Sequence, residues 1–122
     1  MSNTLDLLLK MELPHPPEKV VKLKRLSQIC GAPVELKLRA LSYSKAAELT
    51  SSVMDDLNVH IILAGVVEPN LKDRELLEKY GAATPAELVK KLLLPGEIES
   101  LAREIERLSG YRTNTIEEVK KN

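Results

Sequence analysis

A helix-dominated α+β domain is the fold class this sequence predicts, and three observations carry it. Two stretches before Leu41 alternate apolar and polar residues; the last third repeats apolar residues at three- and four-residue spacing; and capping residues punctuate that last third. The expected architecture is one antiparallel strand pair followed by a C-terminal helical group. Residues 1–17 are expected to form an apolar helical arm and a Pro-rich spacer. Residues 18–122 are expected to form a single globular domain, with strands within 19–40 and helices within 43–121.

The elements follow in order. Thr4 to Met11 reads TLDLLLKM and places Leu5, Leu8 and Leu9 on one face of a helix of about two turns. A helix that short is marginal in water and has to pack on something. Leu13 to Pro17 reads LPHPP, and its prolines remove amide donors and favour extended geometry, so this segment is a stiff spacer. Lys19 to Arg25 (KVVKLKR) and Val34 to Ala40 (VELKLRA) alternate as half-buried strands do. Gly31-Ala32-Pro33 supplies turn chemistry between them, so a loop or short turn is expected there.

Ser42 or Ser44 is positioned to cap a helix carrying Ala46, Ala47 and Leu49. The run from Asp55 to Val67 reads two ways: Val59, Ile61, Ile62, Val66 and Val67 suit a strand, while Asp55 or Asp56 could cap a buried helix that ends before Pro69. The helix is preferred. Asp73 caps RELLEKY, and Gly81 stops it. Thr84-Pro85-Ala86-Glu87 joins an N-cap, a first-turn proline and a capping-box glutamate ahead of Leu88, Val89, Leu92 and Leu93. Pro95 opens a further helix with Ile98, Leu101, Ala102, Ile105 and Leu108 on its apolar face, Glu99 set to pair with Arg103, and Gly110 as its stop. Thr115 and Glu118 would cap a frayed terminal turn.

Composition excludes several functions. The chain has 122 residues, 18 basic and 18 acidic side chains, and 43% hydrophobic residues, a balance that rules out wholesale disorder. Tyr43, Tyr80 and Tyr111 are the only aromatic residues, which leaves few platforms for stacking bases or sugars. One cysteine and two histidines cannot furnish a four-ligand zinc site, and a lone Cys30 fits a reducing cytoplasm. No stretch approaches a membrane span, so a cytoplasmic location is expected.

No catalytic constellation emerges, and no cofactor is expected. His15 lies between prolines and His60 within an apolar run, neither with a spaced partner. Cys30 reads as a small buried hydrophobe. Glu97, Glu99, Glu104 and Glu106 alternate with arginines opposite an apolar stripe and read as a solvated face. The five glycines are scattered, each at a turn or helix stop, with no phosphate loop. Lys19, Lys22, Lys24, Arg25, Lys37 and Arg39 could face phosphate from the strand pair, which makes a small nucleic-acid-binding or regulatory module the alternative function. Glu18 and Glu35 dilute that cluster, and charges that guard strand edges explain it more simply.

The order of these features resembles the XkdN-like family of phage tail assembly chaperones, found in phages and prophages of Gram-positive bacteria. The resemblance is carried by LDLLLKMELP from Leu5 to Pro14 and by the long run from His60 to Tyr111; the middle, from Val20 to Met54, is more generic. It implies a non-enzymatic, cytoplasmic protein that binds the tape measure protein, keeps it soluble and helps tail tube protein polymerise around it. It supplies no site residues. The contact surface expected from the sequence itself is Leu5, Leu8, Leu9 and Met11, docking on a helical partner or on another copy of the chain, with folding back onto the chain's own core as the alternative. The resemblance further implies two product lengths made by ribosomal frameshifting. Adjacent Lys120 and Lys121 can be encoded by a slippery run of adenines, or can simply be a solubilising tail.

Overall fold

Alternation in the second predicted strand sets the middle of the sheet. In the computed structural model, which describes residues 3–52 and 55–120, β2 (Glu35–Arg39) buries Leu36 and Leu38 and exposes Glu35 and Arg39. β1 (Glu18–Lys22) pairs with it antiparallel, with Glu18 opposite Arg39 and Lys22 opposite Glu35. The predicted pair therefore forms, but its first strand stops at Lys22 rather than running to Arg25.

The connection also differs from the expected loop. Leu23 is buried at the head of a helix, α2 (Lys24–Cys30), which Gly31 ends in the left-handed region at φ 71°. The Ser27 hydroxyl donates to the Leu23 carbonyl (2.6 Å) and accepts from the Val34 amide (2.8 Å), so this one side chain ties the helix to the return of the chain.

Before the sheet lies α1 (Thr4–Lys10), and after it come α3 (Tyr43–Ser52), opened by the Ser42 hydroxyl accepting from Lys45 N–H, and α4 (Leu57–Gly65). α4 buries Val59, Ile61, Ile62 and Gly65, which is why its sequence lacks a polar stripe. The preference for helix over strand holds as far as Gly65. Beyond it the β-branched pair Val66 and Val67 enters a third strand, β3 (Val66–Glu68), on the far side of β2. Asp56 stands at the start of α4 without capping it; its carboxylate pairs with Lys90 instead.

The remaining helices are α5 (Arg74–Lys79), α6 (Pro85–Leu92) and α7 (Pro95–Leu108). α5 and α6 start with the expected cap chemistry, whereas the start of α7 is closed by Glu97, which the sequence reading places on a solvated face. Asp73 accepts from Leu76 N–H at 3.0 Å, Thr84 from Glu87 N–H at 3.1 Å, and Glu97 from Leu94 N–H at 2.7 Å. α4 crosses α7 and α6, and the core lies where Leu38, Ile62, Val89 and Ile105 meet.

One glycine does something the sequence did not suggest. A Cβ on Gly65 would lie 2.6 Å from two side-chain carbons of Ile105, so Gly65 permits the close approach of α4 to α7 rather than serving as a helix stop. Arg103 pairs with Glu106 instead of Glu99, and Arg112 reaches the same Glu106 at 2.8 Å. The expected terminal turn at Thr115 and Glu118 is absent: residues 114–120 carry no regular structure, because exposed Ile116 and Val119 find nothing to pack on. Lys121, on which the frameshift reading partly rests, lies outside the described residues.

Candidate functional site

The N-terminal arm is a helix whose two ends are closed by local hydrogen bonds. The Asn3 side chain caps α1 by accepting from Asp6 N–H at 2.9 Å, and Met11 N–H closes its end on the Leu7 carbonyl at 3.2 Å. Leu5, Leu8 and Leu9 share one face and are 63%, 60% and 72% exposed; Met11, just past the helix, is 51% exposed. Leu7 on the opposite face and Leu13 in the spacer are exposed as well. The structure thus brings the four predicted contact residues together and leaves them uncovered by the chain's own body. Seven residues are too few for a helix to persist on backbone bonds alone, so the arm's apolar surface awaits a covering surface.

The body carries a second apolar feature that sequence reading missed. A cavity of about 390 Å³ opens between α2, α5 and α6. Leu36, Ile62 and Leu88 form its buried floor, and Ile29, Leu76 and Tyr80 line it nearer solvent. Ile29 is 70% exposed, unusual for a residue of its kind beside an apolar hollow. Cys30 also lines this cavity and is exposed, contrary to the expected burial, because it is the last residue of α2 before the chain turns at Gly31. No local pattern in the sequence links Ile29 to Leu76 or Tyr80, which meet only in the folded chain.

The basic cluster is largely neutralised. Lys19 meets Glu104 at 3.0 Å, Lys37 and Arg39 meet Glu18 at 3.4 and 2.7 Å, and Arg25 forms a two-pronged pair with Glu97 at 2.8 and 3.2 Å. Hydrogen bonding from Arg39, and then the charge of Lys37, hold the Glu18 carboxyl below its ordinary range. Glu97 is lowered first by Arg25 and then by the Leu94 amide, while Glu97 raises Arg25. Arg25 also donates to the Leu92 carbonyl at 2.8 Å, so this pair clips α2 to the junction of α6 and α7. Such ion pairs fasten elements to one another and take these cations away from a phosphate backbone.

His15 is exposed in the spacer, and His60 is half-buried in α4. Among the described residues, no group of three or more His, Cys, Asp or Glu is placed to hold a metal ion. No helix among them is long and apolar enough to cross a membrane.

With that geometry in hand, the model of the family described as phage XkdN-like tail assembly chaperone protein matches residues 54–121, more than half of the chain. The chain belongs to the XkdN-like tail assembly chaperone family. The match runs from the approach to α4 through the C-terminal tail, so the arm and the β1–β2 pair lie outside it. A solved structure described as the crystal structure of the protein yqbn has the same fold, with a TM-score of 0.70 and 22% identity over 91% of this chain and 99% of that one. Among curated proteins, none matches this sequence.

Proposed function

We propose that this XkdN-like chaperone binds the tape measure protein in the host cytoplasm, keeps it soluble and assists polymerisation of tail tube protein around it, without catalysing a reaction. The observation that carries the reading is the uncovered arm: Leu5, Leu8, Leu9 and Met11 present apolar surface beyond a stiff spacer whose prolines hold it away from the body. A tape measure protein is a long helical, apolar-rich chain that aggregates when left free. A short amphipathic helix covers such a surface by packing its apolar face on the partner helix. Full burial of one leucine gains about 1.5–3 kcal/mol, and ordering and association costs offset much of the total, so the contact is reversible, as a chaperone's must be.

Co-expression tests this directly. A chain lacking residues 1–12 retains the cores of the sheet and of α4, α6 and α7, and is expected to fold yet fail to keep the tape measure protein in the soluble fraction. Undiminished solubilisation by a folded truncated chain would refute the role of the arm.

A further inference from the structure

We infer that the cavity between α2, α5 and α6 is the seat for the apolar arm of a second copy of this chain, so that two copies exchange arms and shield them while no tail protein is bound. The cavity has room for this. An apolar void of roughly 150 Å³ already holds a benzene-sized group, and this one measures about 390 Å³, enough for two of the arm's leucines with the others lying across Ile29 and Tyr80 at the mouth.

The arm's point of departure selects the second copy as its source. Ala40 N–H donates to the Pro17 carbonyl at 2.9 Å, which extends the β1–β2 ladder and sends the spacer off the sheet beyond the Glu18–Arg39 end. The cavity lies at the other end, where Leu23 N–H donates to the Val34 carbonyl at 3.0 Å. Three prolines in the spacer keep it extended along its outward path, and the chain's own arm is accordingly uncovered.

The area is right for a stable pair. Each arm side chain removes roughly 100 Å² from water on burial. Two arms of four side chains each, with the two cavities that receive them, together remove on the order of 1,200 Å², the lower end of what a specific interface buries. Exchange about a two-fold axis uses the same contact twice and closes on itself.

Sedimentation equilibrium of the full-length chain, with no tail protein present, is expected to show twice the chain mass at high concentration. Leu8→Asp combined with Leu9→Asp should return it to the mass of one chain, and Ile29→Asp should do the same with the arm intact. Ile29 is exposed, so that variant keeps the fold, which its circular dichroism melt checks. Position-specific oxidation supplies the second readout. In the Leu8→Cys variant, oxidised with copper phenanthroline, the new thiol should form a disulfide with Cys30 of another chain, seen as twice the chain mass on a non-reducing gel and located by peptide mapping. A single-chain mass at every concentration, a pair that survives either aspartate variant, or a disulfide closed within one chain would overturn the inference. Tape measure binding enters neither experiment, so this inference and the proposed function fail separately.

Discussion

Helices α1 and α6 have nearly the same local design and opposite surroundings. Each begins with a side chain that accepts a backbone N–H, Asn3 in one and Thr84 in the other, at 2.9 and 3.1 Å. Each carries an acid in its first turn, Asp6 or Glu87, and lysine in its last. Yet α6 buries Leu88 and Val89 almost completely, while α1 buries nothing. Caps and charges therefore decide where a helix forms, and a neighbouring surface decides whether it belongs to the core. α6 has α4 across from it; among the described residues α1 makes no extensive contact with another element and is followed by a proline-rich spacer. The same leucine content stabilises the fold in one place and leaves a surface for something else in the other.

Matched truncations break the comparison most sharply. Leu88→Ala removes a side chain that is 0% exposed and is expected to cost about 2–5 kcal/mol in urea unfolding, with Leu101→Ala and Ile105→Ala in the same range. Leu8→Ala should change the unfolding free energy in urea by less than about 0.5 kcal/mol. Equal losses at Leu88 and Leu8 would mean that the arm is part of the folding unit.

A smaller effect probes the opposite error, too much volume in the body. Gly65→Ala places a methyl group 2.6 Å from carbons of the fully buried Ile105, and overpacking of this kind costs about 1–3 kcal/mol. Pairing it with Ile105→Val should recover part of the loss, because the two sites share one space. Strict additivity of the two changes would show that α4 and α7 part to admit the methyl.

How much of this was legible in the sequence follows the range of the cause. The starts of α5, α6 and α7 were readable because Asp73, Thr84-Pro85-Glu87 and Pro95 act within one turn. β2 was readable because Leu36 and Leu38 alternate with charges. Helix α2 was hidden because the alternation of β1 runs on through Leu23 and Lys24, and its seven residues are too few for a clear period. β3 was missed because its first two residues, Val66 and Val67, continue the apolar run of α4 without a break. Gly65 looked like a stop because the residue that needs its small size, Ile105, lies on another helix. The arm's predicted contact residues could be found from local pattern, whereas the cavity could not, since Ile29, Leu76 and Tyr80 meet only after folding.

The smallest expected effect separates the body from the arm by pH. Arg25 clips α2 to the start of α7 through Glu97, and no comparable pair fastens α1 among the described residues. Glu97 titrates below its ordinary range in the folded chain, chiefly because Arg25 bonds its ionised form. A carboxylate lowered on folding contributes stability that is present above the unfolded value, about 4.3 for glutamate, and lost as pH falls through the lower folded value. Urea midpoints of the wild-type chain should therefore decline as the solution is acidified below about pH 4.3. In Glu97→Gln that decline should be shallower, since the remaining acids, Glu18 among them, still titrate. Removing residues 1–12 should leave the slope unchanged, because the arm contributes no such pair. An identical slope in Glu97→Gln would mean that the Arg25 clip does not hold the α6–α7 junction in solution, and that apolar packing at Leu88, Leu101 and Ile105 holds it without help.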